Sequence, residues 1–142
     1  MPKFGKRSIE NREFICKDLK RLVDEVIKYY DFSIICGHRD KTEQEHAFKI
    51  GTSKAHFGQS AHNYNPSFAV DVYPYPIPMT RKNPTTAILI DNDSKEWDKM
   101  VYAFKSAAKQ LGIEIECGAD WTKLVDKPHI QIKGWKDKIK EI

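Results

Sequence analysis

The chain has 142 residues, 40% of them hydrophobic and 31% charged, which fits a single domain over residues 1–142 with a buried core. No apolar run approaches the roughly 18 residues of a membrane span, and no apolar segment follows the basic N-terminus, so we expect no membrane insertion and synthesis in a cytosol. The net charge of +4 suits an anionic partner such as a nucleic acid, a cell-wall polymer or a membrane surface.

Two kinds of hydrophobic spacing alternate along the chain. Apolar residues at three- and four-residue intervals predict amphipathic helices, whereas short β-branched runs bounded by glycine or turn residues predict strands. In chain order, the predicted elements are a helix over 11–30, a strand over 31–37, a helix over 42–50, a strand over 68–73, a long loop over 74–93, a helix over 94–111, a strand over 113–117, a turn over 118–121, a strand over 130–132 and a charged tail.

The helix boundaries rest on local capping signals. Thr42, with Glu45 three residues later, has the spacing of a capping box, and Gly51 ends that helix. Ser94 can cap the next helix, and Gly112 ends it.

The loop over 74–93 contains closely spaced prolines, which exclude a regular element at its start. It is long for a compact domain, and such loops are often functional. We therefore expect it to form a wall of a substrate groove, with a short strand over 87–90.

The three cysteines, Cys16, Cys36 and Cys117, are odd in number and widely spaced. This pattern indicates neither a disulfide framework nor a paired-cysteine metal site. Cys36 and Cys117 lie in or beside apolar strand-like runs, so we interpret them as buried thiols.

Two polar stretches beside predicted strands carry the residues that indicate chemistry. His62 opens a turn that leads into a strand containing Asp71, and this carboxylate is costly to bury without a cation or hydrogen-bond donors. Asp126 and His129 precede the last strand. Two imidazoles and one carboxylate can bind zinc and leave its fourth position open, so we predict Zn²⁺ on His62, Asp71 and His129.

Two further charged residues fit roles beside such a metal. Lys-Pro separates Asp126 from His129, and a polyproline-like segment repeats every three residues, so both side chains can face the same side. Asp126 is therefore the predicted general base. Arg39 follows a strand and can hold the scissile carbonyl oxygen or a substrate carboxylate.

The residues taken alone leave ordinary structural roles open. His62 can be a loop histidine, Asp71 can cap a turn or pair with Arg39, and Asp126 can cap a turn. The predicted ligands are spread over almost seventy residues and do not form a local motif. The remaining histidines are possible substitute ligands: His38, His46 and His56.

The order of the motifs resembles that of the zinc peptidases of peptidoglycan. This family includes D-Ala-D-Ala carboxypeptidases, vancomycin-resistance D-Ala-D-Ala dipeptidases and phage L-alanyl-D-glutamate endopeptidases. Its pattern is Ser-x-His-x-x-Gly-x-Ala-x-Asp and, much later, Asp or Glu-x-x-His, with an earlier Gly-x-Arg and a Gly-x-Asp-Trp turn. The matching stretches are Gly37-His38-Arg39, Ser60-Ala61-His62, Ala69-Val70-Asp71, Gly118-Ala119-Asp120-Trp121 and Asp126-Lys127-Pro128-His129. The segment between His62 and Asp71 is two residues longer than the pattern and lacks its glycine.

The resemblance implies a small α+β domain with an antiparallel sheet that carries zinc and is packed by two or three helices. It also implies roles for individual residues: metal ligands His62, Asp71 and His129, general base Asp126, carbonyl or substrate binder Arg39, and pocket residues Ser60 and Gln44.

An Asp before the last histidine is more similar to the L-alanyl-D-glutamate endopeptidases, and the chain as a whole resembles a phage endolysin. Such an enzyme accumulates in the host cytoplasm and reaches peptidoglycan after a holin opens the membrane. We therefore expect a monomer that cuts the L-Ala–D-Glu bond of peptidoglycan stem peptides for host lysis, without a nucleic-acid partner or stable membrane insertion. The alternatives are a D-Ala-D-Ala carboxypeptidase with the same zinc site and a non-catalytic wall-binding domain.

Overall fold

The structure is a computed structural model that describes residues 2–139, and a four-stranded antiparallel sheet organises it. The strands are β1 (Phe32–Cys36), β2 (Ala69–Pro74), β3 (Met79–Thr80), β4 (Leu89–Ile90), β5 (Ile115–Cys117) and β6 (His129–Ile132). The helices are α1 (Lys6–Arg12), α2 (Lys17–Val26), α3 (Lys41–Lys49), α4 (Lys95–Leu111) and α5 (Trp135–Lys138). The main sheet has the order β1-β2-β6-β5, while β3 and β4 pair with each other. This architecture confirms the predicted α+β class.

The two faces of the main sheet differ because side chains alternate along a strand. In β2, Val70 and Val72 are completely buried, whereas Asp71 and Tyr73 are partly exposed. The apolar face lies against α4, which also packs on α2. The opposite face is therefore free to carry polar side chains while the hydrophobic face holds the sheet in the domain.

The long helix α4 supplies much of that core. Trp97, Met100 and Phe104 lie on one side of it and are at most 2% exposed. Ser94 caps its start by accepting a hydrogen bond from the backbone N–H of Glu96 at 3.2 Å. Gly112 ends it with a φ of 70°, a left-handed conformation that favours glycine. The predicted boundaries of this helix are confirmed.

The predicted helix over 11–30 is wrong in its extent, because α1 and α2 replace it with a break between them. Ile15 forms a parallel bridge with Ser67 at the break. The backbone N–H of Cys16 donates to the carbonyl of Ser67, and the N–H of Ser67 donates to the carbonyl of Phe14, both at 2.8 Å. Periodicity did not reveal the break because Ile15 is buried in the core, as it would be in a continuous helix.

The predicted cap of α3 is also wrong by two residues. Asp40, rather than Thr42, accepts from the backbone N–H of Glu43 at 2.8 Å, and the Glu43 side chain accepts from the N–H of Asp40 at 3.1 Å. The pair forms a complete capping box. Aspartate is at least as good a cap as threonine, so the earlier position satisfies the first turn.

The region between β2 and α4 is the predicted long excursion, and the short strand predicted over 87–90 is found there as β4, which pairs with β3 in a hairpin. Its end is fastened where the indole N–H of Trp97 donates to the carbonyl of Asp91 at 2.9 Å. The predicted charged tail contains α5, and residues 140–142 lie outside the described residues. Within residues 2–139, no helix combines the length and the apolarity needed to cross a bilayer.

Replacing Ser94 by alanine removes the cap of α4 and is expected to lower the free energy of unfolding by about 1 kcal/mol. Urea denaturation followed by circular dichroism measures this change. Ser106→Ala, at an exposed position of the same helix, is the matched control and should change stability by less than about 0.5 kcal/mol. An equal loss in both variants would contradict the capping role.

Candidate metal centre

The register of the main sheet brings together residues that lie far apart in the sequence. Cys36 of β1 pairs with Asp71 of β2, and Asp71 pairs with His129 of β6. Directly opposed residues of antiparallel strands carry neighbouring side chains on one face. One row across three strands therefore places a thiol, a carboxylate and an imidazole beside one another.

His62 reaches this row from a 3₁₀ turn, Ala61–Asn63, that precedes β2. Ser60 caps the turn by accepting from the backbone N–H of His62 at 3.2 Å. The chain then returns beside the turn, where the N–H of Phe68 donates to the carbonyl of Ala61 at 3.0 Å. The additional residues between His62 and Asp71 are thus accommodated in a closed loop before β2 begins.

Three side-chain atoms converge at the centre of the row. Nε2 of His62, Oδ1 of Asp71 and Nδ1 of His129 are each 3.3 Å from the other two. In tetrahedral coordination at the usual zinc–ligand distances, ligand atoms lie about 3.3–3.4 Å apart. The spacing of these atoms therefore fits a tetrahedral metal ion of that size.

Hydrogen bonds on the far side of each imidazole determine which nitrogen faces the centre. Nδ1 of His62 donates to the carbonyl of Gly37, and Nε2 of His129 donates to Oε1 of Gln131, both at 2.7 Å. A neutral imidazole then carries a lone pair on its other nitrogen. Among the residues that the structure describes, Oδ1 of Asp71 is buried and has no hydrogen-bond partner. Three electron-pair donors thus face one another, an arrangement that a cation stabilises.

The charges at the centre favour the same conclusion. Burial lowers the pKa of His62, but the adjacent Asp71 carboxylate outweighs this effect and raises the pKa to about 10, so without a metal ion a proton takes the place that a cation would occupy. Burial raises the pKa of Asp71, whereas the two histidines lower it, and the net result lies well below its usual range. Burial and the negative charge of Asp71 raise the pKa of Asp126. The centre therefore contains an ionised carboxylate that can balance an added positive charge.

Arg39 lies on the outer side of this carboxylate. Its Nη2 is 3.6 Å from Oδ2 of Asp71, and its Nη1 donates to Oε1 of Gln44 at 2.9 Å. Its backbone N–H donates to the carbonyl of His62 at 2.8 Å. The guanidinium group is thereby held next to the centre by both the backbone and two side chains.

Gln44 lies beneath the cleft, a placement that differs from the predicted position in its lining. Its side chain is completely buried, and its Oε1 also accepts from Nδ2 of Asn63 at 3.1 Å. Its Nε2 donates to Oγ of Ser53 at 2.9 Å and to the carbonyl of Ala55 at 2.7 Å. With these contacts the amide supports Arg39 from below rather than facing the cleft.

Asp126 is brought to the centre by a turn rather than by the predicted polyproline-like segment. The backbone N–H of His129 donates to the carbonyl of Asp126 at 3.1 Å, which closes the turn. A carboxylate oxygen of Asp126 lies within 4.8 Å of the ligand atoms of Asp71 and His129. The N–H of Asp126 donates to the carbonyl of Gly118 at 3.0 Å, and a Cβ at Gly118 would overlap the Asp126 backbone. A glycine is therefore required where this turn packs.

The centre opens into a cleft of about 860 Å³. The predicted site residues in its wall are Arg39, Ser60, His62, Asp71, Asp126 and His129. The prediction that the loop over 74–93 forms a wall of the cleft is wrong, because none of the described residues that line the cleft belongs to that loop. Trp121, Leu124 and Val125, together with Trp135 and Lys136 at the start of α5, line the cleft instead.

Sequence reasoning missed the residues that support the ligands. Gln131 follows His129 by two residues, so strand alternation places both on the same face and offered a signal. The carbonyl of Gly37 offered no such signal, because every residue has a backbone carbonyl. The interpretation of Cys36 as a buried thiol is wrong, because it is partly exposed, and its Sγ lies 4.0 Å from Nδ1 of His62. Among the described residues, the clusters with metal-ligand spacing do not include the possible substitutes His38, His46 and His56.

Comparisons with known proteins give the family and a structural relative of this chain. A family described as phage L-alanyl-D-glutamate peptidase matches residues 1–138. Seven chains of solved structures match, among them the crystal structure of the Serratia marcescens L-Ala D-Glu endopeptidase ChiX. That structure has a TM-score of 0.72 and 27% sequence identity, with 96% of this chain and 93% of the other covered. No curated protein sequence matches the chain.

Replacing Gln44 by leucine leaves its buried hydrogen-bonding partners unsatisfied and is expected to lower the free energy of unfolding by about 1–3 kcal/mol. Urea denaturation measures this loss. Gln110→Leu, at an exposed position of α4, is the matched control and should stay within about 0.5 kcal/mol of wild type. Wild-type stability of Gln44→Leu would show that the buried network contributes little.

Proposed function

The chain belongs to the family of phage L-alanyl-D-glutamate peptidases, and we propose that it is a zinc-dependent endopeptidase that hydrolyses the L-Ala–D-Glu bond of peptidoglycan stem peptides. The observation that carries the metal part of the proposal is the triangle of His62 Nε2, Asp71 Oδ1 and His129 Nδ1, with sides of 3.3 Å. All three residues line the cleft, where a peptide can reach them.

The choice of zinc follows from the donor atoms. Two imidazole nitrogens and one carboxylate oxygen suit Zn²⁺, whereas Mg²⁺ and Ca²⁺ favour oxygen ligands. When bound, zinc supplies Lewis-acid chemistry, in which it activates water near neutral pH and polarises a carbonyl group. His62, Asp71 and His129 would hold it, each imidazole being oriented by the hydrogen bond at its other nitrogen.

Asp126 is the proposed general base. Its carboxylate lies beside Asp71 and His129, so it can accept a proton from the water that attacks the carbonyl of L-Ala. It can then transfer that proton to the amine nitrogen of the departing D-Glu. The turn against Gly118 keeps the carboxylate at the cleft throughout both transfers.

Arg39 is proposed to bind the carbonyl oxygen of the scissile bond. Its guanidinium group is fixed between Asp71 and Gln44, so its remaining N–H groups can stabilise the negative charge that develops on this oxygen. Ser60 lies in the cleft wall and is proposed to contact the substrate. Gln44 is proposed to act on substrate only through the arginine that it supports.

The biological setting that fits this family is lysis of a bacterial host. We propose that the chain works as a single-domain monomer, stays in the host cytoplasm until a holin opens the membrane, and then acts on the cell wall. The net charge of +4 is suited to an anionic wall.

A digest of purified peptidoglycan tests the reaction. With zinc present, mass spectrometry should detect new N-terminal D-Glu, and treatment with a chelator should abolish it until zinc is restored. Release of free D-Ala instead would establish the carboxypeptidase alternative. Binding to peptidoglycan without any product, in protein that contains zinc, would establish the wall-binding alternative.

Replacing Asp126 by asparagine is expected to lower the cleavage rate by at least about 100-fold, because the general base is lost while the metal ligands stay. Product formation by mass spectrometry measures the rate, and elemental analysis measures bound zinc, which should remain near wild type. The matched control is Asp120→Asn at an exposed aspartate paired with Lys105, which should retain activity. An active Asp126→Asn enzyme would refute the assignment of the base.

A further inference from the structure

The hydrogen bond that orients His129 is the first link of a short chain of side chains across the sheet. We propose that Gln131 and Glu116 are positioning residues that make His129 present Nδ1, rather than Nε2, to the metal. The inference rests on the proposed function for the identity of the metal, while the chain of hydrogen bonds can be tested without substrate.

The strands place these residues in line. Gln131 lies two positions after His129 in β6, so both side chains lie on the same face of the strand. Gln131 is also directly opposite Glu116 of β5 in the sheet register. Oε1 of Gln131 is 2.7 Å from Nε2 of His129, and Nε2 of Gln131 donates to Oε1 of Glu116 at 3.0 Å.

The carboxylate of Glu116 determines the direction of both hydrogen bonds. A carboxylate only accepts hydrogen bonds, so the NH₂ group of Gln131 must face Glu116. The amide oxygen then faces His129 and accepts a hydrogen bond from its Nε2. Nδ1 of His129 is left unprotonated, 3.3 Å from Oδ1 of Asp71.

Removal of Glu116 would leave the amide of Gln131 free to turn over. The NH₂ group could then face His129 and donate to Nε2, which would favour the imidazole proton on Nδ1. A proton on Nδ1 would occupy the lone pair with which His129 binds the metal. The two outer side chains therefore control metal affinity through the tautomer of His129.

The main hydrogen-bond partner of His62 is a backbone group instead. Its Nδ1 donates to the backbone carbonyl of Gly37, a group that only accepts. Gln131 and Glu116 thus act on His129 alone, and His62 serves as the ligand for comparison.

Zinc affinity of the purified full chain, measured by competition with a chromogenic chelator, tests the proposal directly. Gln131→Leu is expected to bind zinc about 10–100-fold more weakly, the usual effect of losing an outer partner of a metal ligand. Glu116→Leu should weaken binding by a smaller factor, because the amide still faces His129 correctly for part of the time. Glu114→Leu, at an exposed glutamate two residues earlier, is the matched control and should leave affinity unchanged.

Exchanging the side chains at positions 116 and 131 distinguishes an effect of hydrogen-bond direction from an effect of packing. In the double variant Glu116→Gln with Gln131→Glu, a carboxylate faces His129 and accepts from it, while the amide at position 116 donates to the same carboxylate. This variant should bind zinc nearly as tightly as wild type. Loss of affinity equal to that of Gln131→Leu would overturn the proposed direction.

Gln131→Leu with wild-type zinc affinity would overturn the proposal. If the variants lose zinc affinity but the wild type cuts no peptidoglycan, the positioning role holds and the proposed function is refuted. If the wild type is active but the variants bind zinc normally, the proposed function holds and the positioning role is refuted.

Discussion

The carboxylate of Asp71, whose inner oxygen Oδ1 is buried, is the group on which the arrangement of the site depends. A carboxylate in the middle of a sheet is unfavourable unless positive charge or hydrogen-bond donors surround it. Here two imidazoles turn lone pairs toward one of its oxygens, and Arg39 lies 3.6 Å from the other. The inner oxygen is thus available to a cation, while the outer oxygen is held by the protein. This division explains how one aspartate can connect the candidate metal centre to Arg39, the proposed substrate binder.

The same centre accounts for a feature of the fold that lies outside the cleft. Gly37 supplies the carbonyl that orients His62, and a Cβ at this glycine would overlap the backbone of Asn11 and the side chain of Ile15. The N-terminal segment therefore packs directly on the residue that fixes a ligand. Its break at Ile15, where the chain bridges to Ser67, brings the segment into that position. Oγ of Ser67 also lies 3.1 Å from the Gly37 carbonyl, so the residue at the break is next to the group that supports the ligand.

The predictable part of the site consists of side chains with distinctive chemistry at strand ends. His62, Asp71 and His129 could be grouped because a carboxylate inside an apolar strand needs a partner and imidazoles are suitable partners for a shared metal. The cleft wall was less predictable, because which loop covers a sheet depends on tertiary packing. Gln44 illustrates the same limit, since its sequence position in a polar helix gave no sign that the side chain is completely buried. A backbone carbonyl such as that of Gly37 leaves no trace in the residue type at all.

The two imidazoles also differ in how sequence change can affect them. The support of His62 is a backbone group, and substitution at Gly37 is restricted by the close approach of Asn11. The support of His129 is a side-chain amide whose orientation depends on a second side chain on the neighbouring strand. Substitution can therefore alter the outer environment of His129 without displacing the backbone of the sheet. If Gln131 and Glu116 position His129 as proposed, metal affinity can be adjusted from the β5–β6 edge, while the His62 side keeps the geometry of the centre constant.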